Sequence, residues 1–496
     1  MLGIKSYWKP MLVSLFSAFV ILLICSKSSY LYPINDWTDA NIYLSMGRGI
    51  TEGQLIYRDL YDHKGPILYF LHALCVLISS NGFIGVFWLE VITATLFLFI
   101  SYKIILMLTS NEKAYVIIPI LALIVFASRS FESGDSAEEL CLPIMAFALM
   151  DGIGKCKGQT FTRNRLVLHG FLVGVVFLIK FTLLGAQAAL CLWIVCSSLF
   201  TKQWNKAGKQ VAYLLLGFIL SLLPWLVYFT IYGAMGDFIQ TYFIDNLFLY
   251  ASSEQSMTIF MRFKEMIKSV LDWFKTNLMY TIPIGMGLIH FVVFKQRKIG
   301  LFITFAMVMA AGFVFIGGRS YPYYGLALAI FAPLGLAAIA CWINEWIDSF
   351  SSHAMSFISV GVVIVCAVLA LIVSPNVRTS FMQRKEQTMQ YQIAAAVDME
   401  NPSILNYGFM DAGFFTALGV APHVKYFHQT NVPKEEMLSE QIRYIEDAEV
   451  DYVITRGKEP PVLYQNYTLV AKATPPDFFW YDEVFLYKRN NLILQK

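Results

Sequence analysis

Charged residues are scarce in this chain. Only 14% of its 496 residues are Asp, Glu, Lys or Arg, whereas 57% are hydrophobic. A soluble enzyme of this length carries about a quarter charged residues, which solvate its surface. The low charge therefore excludes a large soluble enzyme and predicts an α-helical polytopic membrane protein.

Two further classes lack support in the composition. The formal net charge is only +3, so the overall balance does not indicate a nucleic-acid partner. No CxxC pair or Cys/His cluster occurs, and neither a zinc site nor a disulfide framework is expected. The eight cysteines all lie in or beside apolar segments: Cys25, Cys75, Cys141, Cys156, Cys191, Cys196, Cys341 and Cys366.

Long apolar runs recur through the first three quarters of the chain. The first run follows Lys5 and Lys9, and because many later spans exist it is interpreted as a transmembrane helix and not as a signal peptide. One run of roughly thirty-five apolar residues exceeds a single crossing and is split at Lys180. About eleven spans are predicted, at 11–28, 84–108, 114–128, 136–152, 166–180, 182–200, 211–232, 278–294, 299–317, 323–343 and 355–374.

The apolar run 66–80 decides the topology. It is short for a crossing, at about fifteen residues. If it does not cross, the basic clusters at 155–165, 202–209 and 295–298 fall on the same side as the N-terminus; if it crosses, they fall on the opposite side. The positive-inside rule therefore predicts an interfacial helix at 66–80, a cytoplasmic N-terminus and an extracytoplasmic C-terminus.

The composition changes near residue 376. Residues 1–375 are predicted to form a transmembrane catalytic domain with outer loops at 29–65 and 233–277, the second loop holding one or two amphipathic surface helices. Residues 376–496 are predicted to form a small extracytoplasmic α/β domain, which has no Gly-rich phosphate loop and no GxSxG, so no catalysis is placed there. Its predicted strands are 403–409, 424–428, 451–455, 467–473 and 484–488, and its helices are 411–418 and 438–445.

The first outer loop carries two carboxylates, Asp36 and Asp39. Tyr43, Met46 and Ile50 follow Asp39 at helical steps, which predicts a short amphipathic helix that a glycine three residues later ends. Either carboxylate is a candidate general base, which takes a proton from an acceptor hydroxyl as that hydroxyl attacks a sugar. The simpler alternative is that both only cap the helix.

Cations follow in the same loop. Arg58, His63 and Lys64 directly precede the apolar run at 66–80. Cations at the end of a span are commonly interfacial anchors. Their alternative role is to bind a phosphate head group and to stabilise a phosphate that leaves.

A second acidic pair opens the predicted span 136–152. Glu138 and Glu139 suit the positive end of the helix dipole, and they are also candidates for contact with an acceptor or a divalent metal. Lys180 lies within an apolar run, where a charge must pair or extend to the interface. The predicted topology places all three on the outer side.

The turn at 317–325 combines a cation with aromatic rings. Arg319, Tyr321, Tyr323 and Tyr324 are typical of an aromatic belt with a cationic anchor. They are equally suited to bind the phosphate and sugar of a lipid-linked donor.

Four patches of sequence carry a family resemblance: the Asp-led helix with YRDLYDHKGP (57–66), GDSAEELCLP (134–143), GRSYPYY (318–324) and NYGFMDAGFFTALGVAPHVKYF (406–427). Together they resemble bacterial GT-C membrane glycosyltransferases, the superfamily that includes the protein mannosyltransferases and the lipid A aminoarabinose transferase. The first patch is the most specific. One departure is Tyr323, where many relatives have a histidine.

The resemblance implies a GT-C-like fold that transfers a hexosyl or pentosyl group, usually with inversion, from a polyprenyl-phosphate donor. The implied acceptor is a glycan or polymer of the cell envelope, such as a wall polysaccharide or teichoic acid, at the outer face of the cell membrane. Asp39 is implied as the base, with Asp36 second; Lys64 lies near the phosphate, and Glu138 or Glu139 is the acidic residue of the second loop. No cofactor is certain, and a divalent metal stays open.

Two other functions remain open from the residues. A transporter or flippase of lipid-linked saccharides would also have many spans and buried charges, but no inverted repeat is evident and the charges cluster at one surface. A membrane assembly or sensor protein would use its outer α/β domain to bind a partner. Such a protein has no need of Asp39 and Lys64 together.

Overall fold

The apolar runs fold as helices, because in lipid each backbone N–H and C=O must be paired within its own segment. The computed structural model describes residues 7–80, 82–250, 258–295, 297–317, 321–476 and 483–493. Contacts divide the chain into two units. The first unit comprises Met1–Ser26, Phe87–Trp225 and Met257–Thr379, and the second comprises Lys27–Val86, Leu226–Ser256 and Ser380–Lys496. The domain boundary at residue 375 stays a prediction.

Helices occupy each of the predicted spans. The α-helices are α1 (Trp8–Cys25), α2 (Thr38–Thr51), α3 (Pro66–Ile78), α4 (Ile84–Thr109), α5 (Ile118–Phe126), α6 (Ala137–Cys156), α7 (Arg163–Phe177), α8 (Gly185–Phe200), α9 (Trp204–Ile231), α10 (Met235–Phe238), α11 (Ile259–Thr276), α12 (Leu278–Ile289), α13 (Arg297–Phe315), α14 (Ala332–Trp342), α15 (Asn344–Ser349), α16 (Ser352–Val373), α17 (Pro375–Ser380), α18 (Met389–Ala395), α19 (Phe414–Leu418), α20 (Glu435–Glu446), α21 (Leu463–Asn466) and α22 (Asn490–Ile493). Segments of 3-10 helix lie at Glu112–Ile117, Arg129–Phe131, Phe181–Leu183, Pro322–Phe331 and Lys385–Gln387. Segments of π-helix lie at Ile239–Tyr250 and His290–Lys295.

Several of these helices are long enough to cross a bilayer. In the described part of the chain, six segments meet the requirements of length and apolarity: Trp8–Cys25, Ile84–Thr109, Trp204–Ile231, Arg297–Phe315, Pro322–Trp342 and Ser352–Val373. The chain is a multi-pass membrane protein, while the number and direction of its crossings stay predictions. Helix α3 has 13 residues and is about 20 Å long, which is short for a hydrocarbon core of about 30 Å.

The long apolar run breaks where Lys180 was expected to divide it. Helix α7 ends at Phe177 and α8 begins at Gly185. Within the first unit, α7 crosses α9 at two glycines: a Cβ on Gly170 would lie 1.9 Å from the Leu214 carbonyl oxygen, and one on Gly217 would lie 2.0 Å from the Val167 oxygen. Small residues are needed there because the two backbones touch.

A four-stranded sheet lies in the second unit. Its order is β1 (Ile404–Asn406), β2 (Tyr452–Thr455), β4 (Val484–Arg489) and β3 (Tyr467–Ala473), with β1 and β2 parallel and the other pairs antiparallel. The predicted strand 424–428 is wrong. That segment makes single backbone hydrogen bonds, from Asn406 N to Phe427 O and from Gln429 N to Phe409 O, because the chain turns at Gly408, with φ of 73°, and no continuous ladder can form.

Helix α2 matches the predicted start and end, and Gly53 beyond it has φ of 88°. The expectation of an amphipathic helix is wrong, because residues from Asp39 to Gly49 are all buried. A Cβ on Gly47 would lie 2.6 Å from the Ala73 backbone nitrogen, so α3 packs directly against one side of α2. The C-terminal part of the second unit covers another side, through a hydrogen bond from Ser45 Oγ to Asp411 Oδ2 of 2.7 Å.

The predicted surface helix in the second outer loop is present as α11. Phe260, Phe263, Ile267 and Leu271 are exposed and recur at helical spacing. An exposed apolar stripe with basic residues beside it is typical of a helix that lies in the plane of a membrane interface.

The close packing of α2 on α3 predicts that Gly47→Ala destabilises the protein. The added methyl group meets the backbone of α3, which cannot move as a flexible side chain can, and overpacking of this kind costs about 1–3 kcal/mol. Thermal unfolding of the full chain in detergent measures the effect. Gly208→Ala in α9 is the control, since a Cβ there meets nothing within 4 Å; equal unfolding temperatures for the two variants would contradict the assignment.

Candidate active site

The two carboxylates of the first loop have different partners. Asp36 Oδ1 accepts a hydrogen bond from Lys27 Nζ at 2.7 Å, in a largely buried ion pair. Asp39 lies in the first turn of α2, is 7% exposed, and accepts a hydrogen bond from the Tyr43 hydroxyl at 3.3 Å. Its position at the helix N-terminus places the carboxylate at the positive end of the helix dipole.

The loop after α2 fixes the backbone around Lys64. Tyr57 has a positive φ of 71°, and its hydroxyl donates to the Lys64 carbonyl oxygen at 2.7 Å. The Lys64 backbone N–H donates to the Tyr69 hydroxyl at 2.8 Å, and Asn246 Nδ2 donates to the His63 carbonyl oxygen at 2.7 Å. The side chains of Tyr57, Tyr69 and Asn246 thus fix the backbone of His63 and Lys64.

The side chains of Asp62, His63 and Lys64 form a chain of contacts. Lys64 Nζ lies 3.1 Å from His63 Nε2, and His63 Nδ1 lies 3.3 Å from Asp62 Oδ1. An ammonium group has no lone pair, so Nε2 must accept and the imidazole proton must be on Nδ1, facing Asp62. The Nδ1 contact is mainly electrostatic, because Nδ1 has no well-aligned hydrogen-bond partner among the described residues.

The pKa values follow from this arrangement. Burial alone would raise the pKa of Asp62, but the contact with His63 and the positive charge of Lys64 outweigh it and hold this pKa well below its usual range. The Tyr69 hydroxyl also donates to Asp62 Oδ2 at 2.5 Å. Burial, aided by the charge of Lys64, lowers the pKa of His63. At neutral pH the group is an ionised Asp62 beside a neutral His63.

His428 joins this cluster from the C-terminal part of the same unit. The ring is 1% exposed, and its Nδ1 donates to the Gln429 carbonyl oxygen at 2.8 Å. Burial lowers the pKa of His428 to about 4, against the opposing effect of the charges on Asp62 and Asp39. Its Nε2 therefore carries a lone pair, and among the described residues this buried atom has no hydrogen-bond partner.

Arg58 lies apart from these buried groups. Its guanidinium pairs with Asp59 at 2.8 Å and donates to the Tyr232 carbonyl oxygen at 3.3 Å. The Arg58 side chain is 46% exposed. An exposed pair of this kind contributes about 0–1 kcal/mol, and the contacts of Arg58 suit an anchor better than a phosphate ligand.

The second set of predicted residues belongs to the first unit. Lys180 Nζ pairs with Glu138 Oε1 at 2.5 Å, and it lies 4.2 Å from the ring centre of Tyr324 and 5.1 Å from that of Tyr323. The Tyr321 ring stacks on Tyr323 with 5.7 Å between centres. Lys180 is thus paired, as a charge in an apolar run must be.

Glu139 contacts a second buried carboxylate. Its Oε2 and Glu90 Oε1 both accept from the Asp135 backbone N–H, at 3.0 and 2.9 Å. Ser136 caps α6 by accepting the N–H of Glu139 at 3.0 Å. In the part of the chain that the structure describes, no group of three or more His, Cys, Asp or Glu residues has the geometry to hold a metal ion. Arg319 lies outside the described residues.

Sequence reasoning missed Asp62, Tyr69, Glu90 and His428. Asp62 lies inside the YRDLYDHKGP motif and could have been found with Lys64. Glu90 is a lone carboxylate in a predicted span, and an acid in that position is itself a signal of function or pairing. His428 directly follows the C-terminal motif, but nothing local connects it with Asp62.

The architecture is similar to that of solved structures of ArnT from Cupriavidus metallidurans. For ArnT bound to undecaprenyl phosphate the TM-score is 0.61 at 14% sequence identity, covering 96% of this chain and 97% of that chain. For ArnT in the apo state the TM-score is 0.58, again at 14% identity, covering 94% and 95%. Comparisons with protein-family models and with curated proteins give no match. The likeness confirms the expected GT-C-like fold.

His428 gives the site a predicted pH dependence. Its pKa is lowered from 6.5 to about 4 in the folded protein, so between these values the unfolded chain binds the extra proton and stability falls as the pH is lowered. We expect a loss of about 2 kcal/mol between pH 6.5 and 5 from this group. His428→Gln should therefore flatten the decline of the unfolding temperature over that range.

The exposed His353 provides the control for this measurement. His353→Gln should leave the slope of unfolding temperature against pH as it is in the parent protein. Equal slopes for His428→Gln and the parent would show that the pKa of His428 is the same in the folded and the unfolded chain.

Proposed function

We propose that this chain is a membrane glycosyltransferase. It transfers a sugar from a polyprenyl-phosphate-linked donor to a glycan or polymer of the cell envelope, at the outer face of the membrane, with Asp39 as the general base. The N-terminus is then cytoplasmic and the C-terminal region extracytoplasmic. The fold supports the proposal, as does the presence of undecaprenyl phosphate on one of the similar ArnT structures.

The observation that carries the proposal is the position of Asp39. Its carboxylate lies in the first turn of α2, at the positive end of the helix dipole, and it acts electrostatically on His63 and His428. Asp36 forms an ion pair with Lys27, and a carboxylate held by a strong ion pair is a poor base. We therefore assign the base to Asp39 and a structural role to Asp36.

The proposed step is a single displacement with inversion. The acceptor oxygen forms a bond to the anomeric carbon, its proton passes to Asp39, and the bond from that carbon to the phosphate oxygen breaks. Polyprenyl phosphate leaves with one more negative charge, which a cation stabilises without a protonated acid. This differs from glycosidases, which need two carboxyl groups.

Lys64 is the proposed cation for that charge. Its ammonium has three donors, and the contact with His63 Nε2 at 3.1 Å engages one of them. We assign this ammonium to the phosphate oxygens, because it lies in the same loop as Asp39 and follows the family motif at Lys64. In this arrangement His63 and Asp62 are positioning residues for Lys64. The sequence indicated that His63 itself binds the phosphate, and the proposal replaces that role with a positioning role.

The residues of the first unit have supporting roles in the proposal. Lys180, held by Glu138 and faced by the Tyr324 ring, combines a cation with an aromatic surface suited to a phosphate and a sugar. Tyr321 extends that aromatic surface. Glu139 is the proposed acidic residue of the second loop.

The transporter alternative makes a different prediction for the same residues. A flippase binds the lipid-linked sugar but breaks no bond to it, so it has no use for a base. Product formation that depends on Asp39 is therefore the discriminating measurement.

We expect Asp39→Asn to abolish sugar transfer while Asp36→Asn retains it. Removing a general base lowers the rate by about a hundredfold or more, whereas Asp36→Asn only breaks a pair. The assay uses membranes containing the full chain, a panel of undecaprenyl-phosphate-linked sugars and labelled product. Because Asp36→Asn removes the ion-pair partner of the buried Lys27, the double variant Lys27→Gln with Asp36→Asn is its matched control. Full activity in Asp39→Asn would remove Asp39 as the base.

A second prediction separates positioning from direct binding at His63. Glutamine places an amide oxygen near the position of Nε2 and can accept from Lys64, whereas alanine cannot. We expect kcat/KM for the donor to fall about tenfold in His63→Ala, the effect of one lost charge-assisted hydrogen bond, and to recover largely in His63→Gln.

Asp62→Asn should lower kcat/KM about as much as His63→Ala does. The neutral amide no longer favours the His63 tautomer with its proton on Nδ1, so Nε2 is no longer held as an acceptor for Lys64. Asp59→Asn in the same loop is the control, since Asp59 is partly exposed and pairs with Arg58. If His63→Gln and His63→Ala are equally impaired, His63 contacts the substrate itself and the positioning role is wrong.

A further inference from the structure

A polar cavity lies in the first unit, among residues that the proposed reaction does not use. Its volume is about 590 Å³, and its charged and amide lining comprises Lys9, Asn111, Glu112, Lys113, Asn344 and Asp348. Helices α1 and α16 begin beside it, and α4 and α14 end beside it. Four apolar helices with a common end define a membrane border, so this cavity lies at the level of lipid head groups.

An apolar groove continues from this cavity. Its volume is about 580 Å³, and it shares Trp8, Lys9 and Tyr115 with the polar cavity. Its apolar lining runs along α1, α4 and α16 and includes Leu12, Phe16, Phe19, Trp88, Val360 and Val363. From Leu12 to Phe19 the groove follows α1 for about 10 Å, which is the direction that a hydrocarbon chain takes from a head group into the bilayer.

The hydroxyl of Tyr115 lies where the two spaces join. Tyr115 is 4% exposed, and among the described residues its hydroxyl has no hydrogen-bond partner. A buried hydroxyl without a partner is destabilising, because it has lost its hydrogen bonds to water. An oxygen acceptor of the bound molecule, at the junction of its polar and apolar parts, would satisfy it.

The positive and negative charges on the wall of the polar cavity are equal in number. Lys9 and Lys113 supply two positive charges, and Glu112 and Asp348 supply two negative charges. Lys9 Nζ donates to the Ser352 carbonyl oxygen at 3.1 Å. Lys113 Nζ donates to the carbonyl oxygens of Phe350 at 2.9 Å and of Asp348 at 3.3 Å. An ammonium has three donors, so two donors of Lys9 and one of Lys113 can bind a phosphate, while the carboxylates can bind an ammonium.

We propose that this cavity and groove bind one zwitterionic glycerophospholipid of the phosphatidylethanolamine class. The lysines bind its phosphate, Asp348 and Glu112 face its ammonium, Tyr115 donates to an oxygen near the glycerol, and one acyl chain lies in the groove. The predicted topology puts the site in the cytoplasmic leaflet. The proposal is independent of sugar transfer.

Native mass spectrometry of the detergent-purified full chain tests the site. We expect phosphatidylethanolamine to be retained in preference to phosphatidylglycerol with matched acyl chains. Lys113→Gln should lower the affinity for phosphatidylethanolamine about tenfold, the effect of one charge-assisted hydrogen bond. Tyr115→Phe, which removes only the hydroxyl, should lower it severalfold without a change in fold.

Matched variants separate this site from the general lipid coat. Lys202→Gln removes an exposed lysine that does not line the cavity, and it should leave retention unchanged. Val360→Trp fills the groove and should prevent retention, whereas Ile364→Trp, exposed on the same helix but outside the groove, should not. Equal retention of the two lipids, or equal effects of Lys113→Gln and Lys202→Gln, would overturn the proposal.

Discussion

Helix α2 is buried along most of its length, and each polar side chain on it must find a partner inside the second unit. Asn41 Oδ1 accepts from the Thr416 hydroxyl at 2.9 Å, and Arg48 donates to the Phe415 carbonyl oxygen at 3.2 Å. Because an unsatisfied buried polar group costs more than a formed hydrogen bond contributes, these contacts help to determine how the C-terminal segment lies on α2. The position of Asp39 relative to the neighbouring histidines follows from that docking.

Pairing in a buried environment also assigns different roles to residues of the same type. Asp36 and Asp39 are three residues apart, yet Asp36 pairs with Lys27 while Asp39 accepts a hydrogen bond from the Tyr43 hydroxyl. Arg58 and Lys64 lie in one motif, but the first is paired in a water-exposed setting and the second belongs to a buried chain of contacts. Charge in a low dielectric is tolerated only with a partner, so the contacts of each charged residue, and not its type alone, determine its role.

Local pattern predicted the helices well and the polar network poorly. The four-three-four spacing after Asp39 correctly predicted α2, because helical periodicity needs only near neighbours in sequence. The same reasoning failed for the strand at 424–428, because a strand needs a neighbouring strand to pair with. The neighbouring chain changes direction at Gly408, so the two segments do not form a continuous ladder. Glu90 was passed over as part of a span, although its contacts with Ser26 and Asp135 are made entirely with buried groups.

The sequence by itself determined the membrane class, the positions of the apolar helices and the extent of α2, because these depend on composition and on spacing within a few turns. Only the tertiary structure decided that Asp36 pairs with Lys27 while Asp39 accepts a hydrogen bond from Tyr43, and that His428 lies near Asp62. The hydrogen bond from Ser45 to Asp411 joins residues 366 positions apart. No local pattern encodes such a pair, since it forms only when folding removes both groups from water and each must replace its lost hydration.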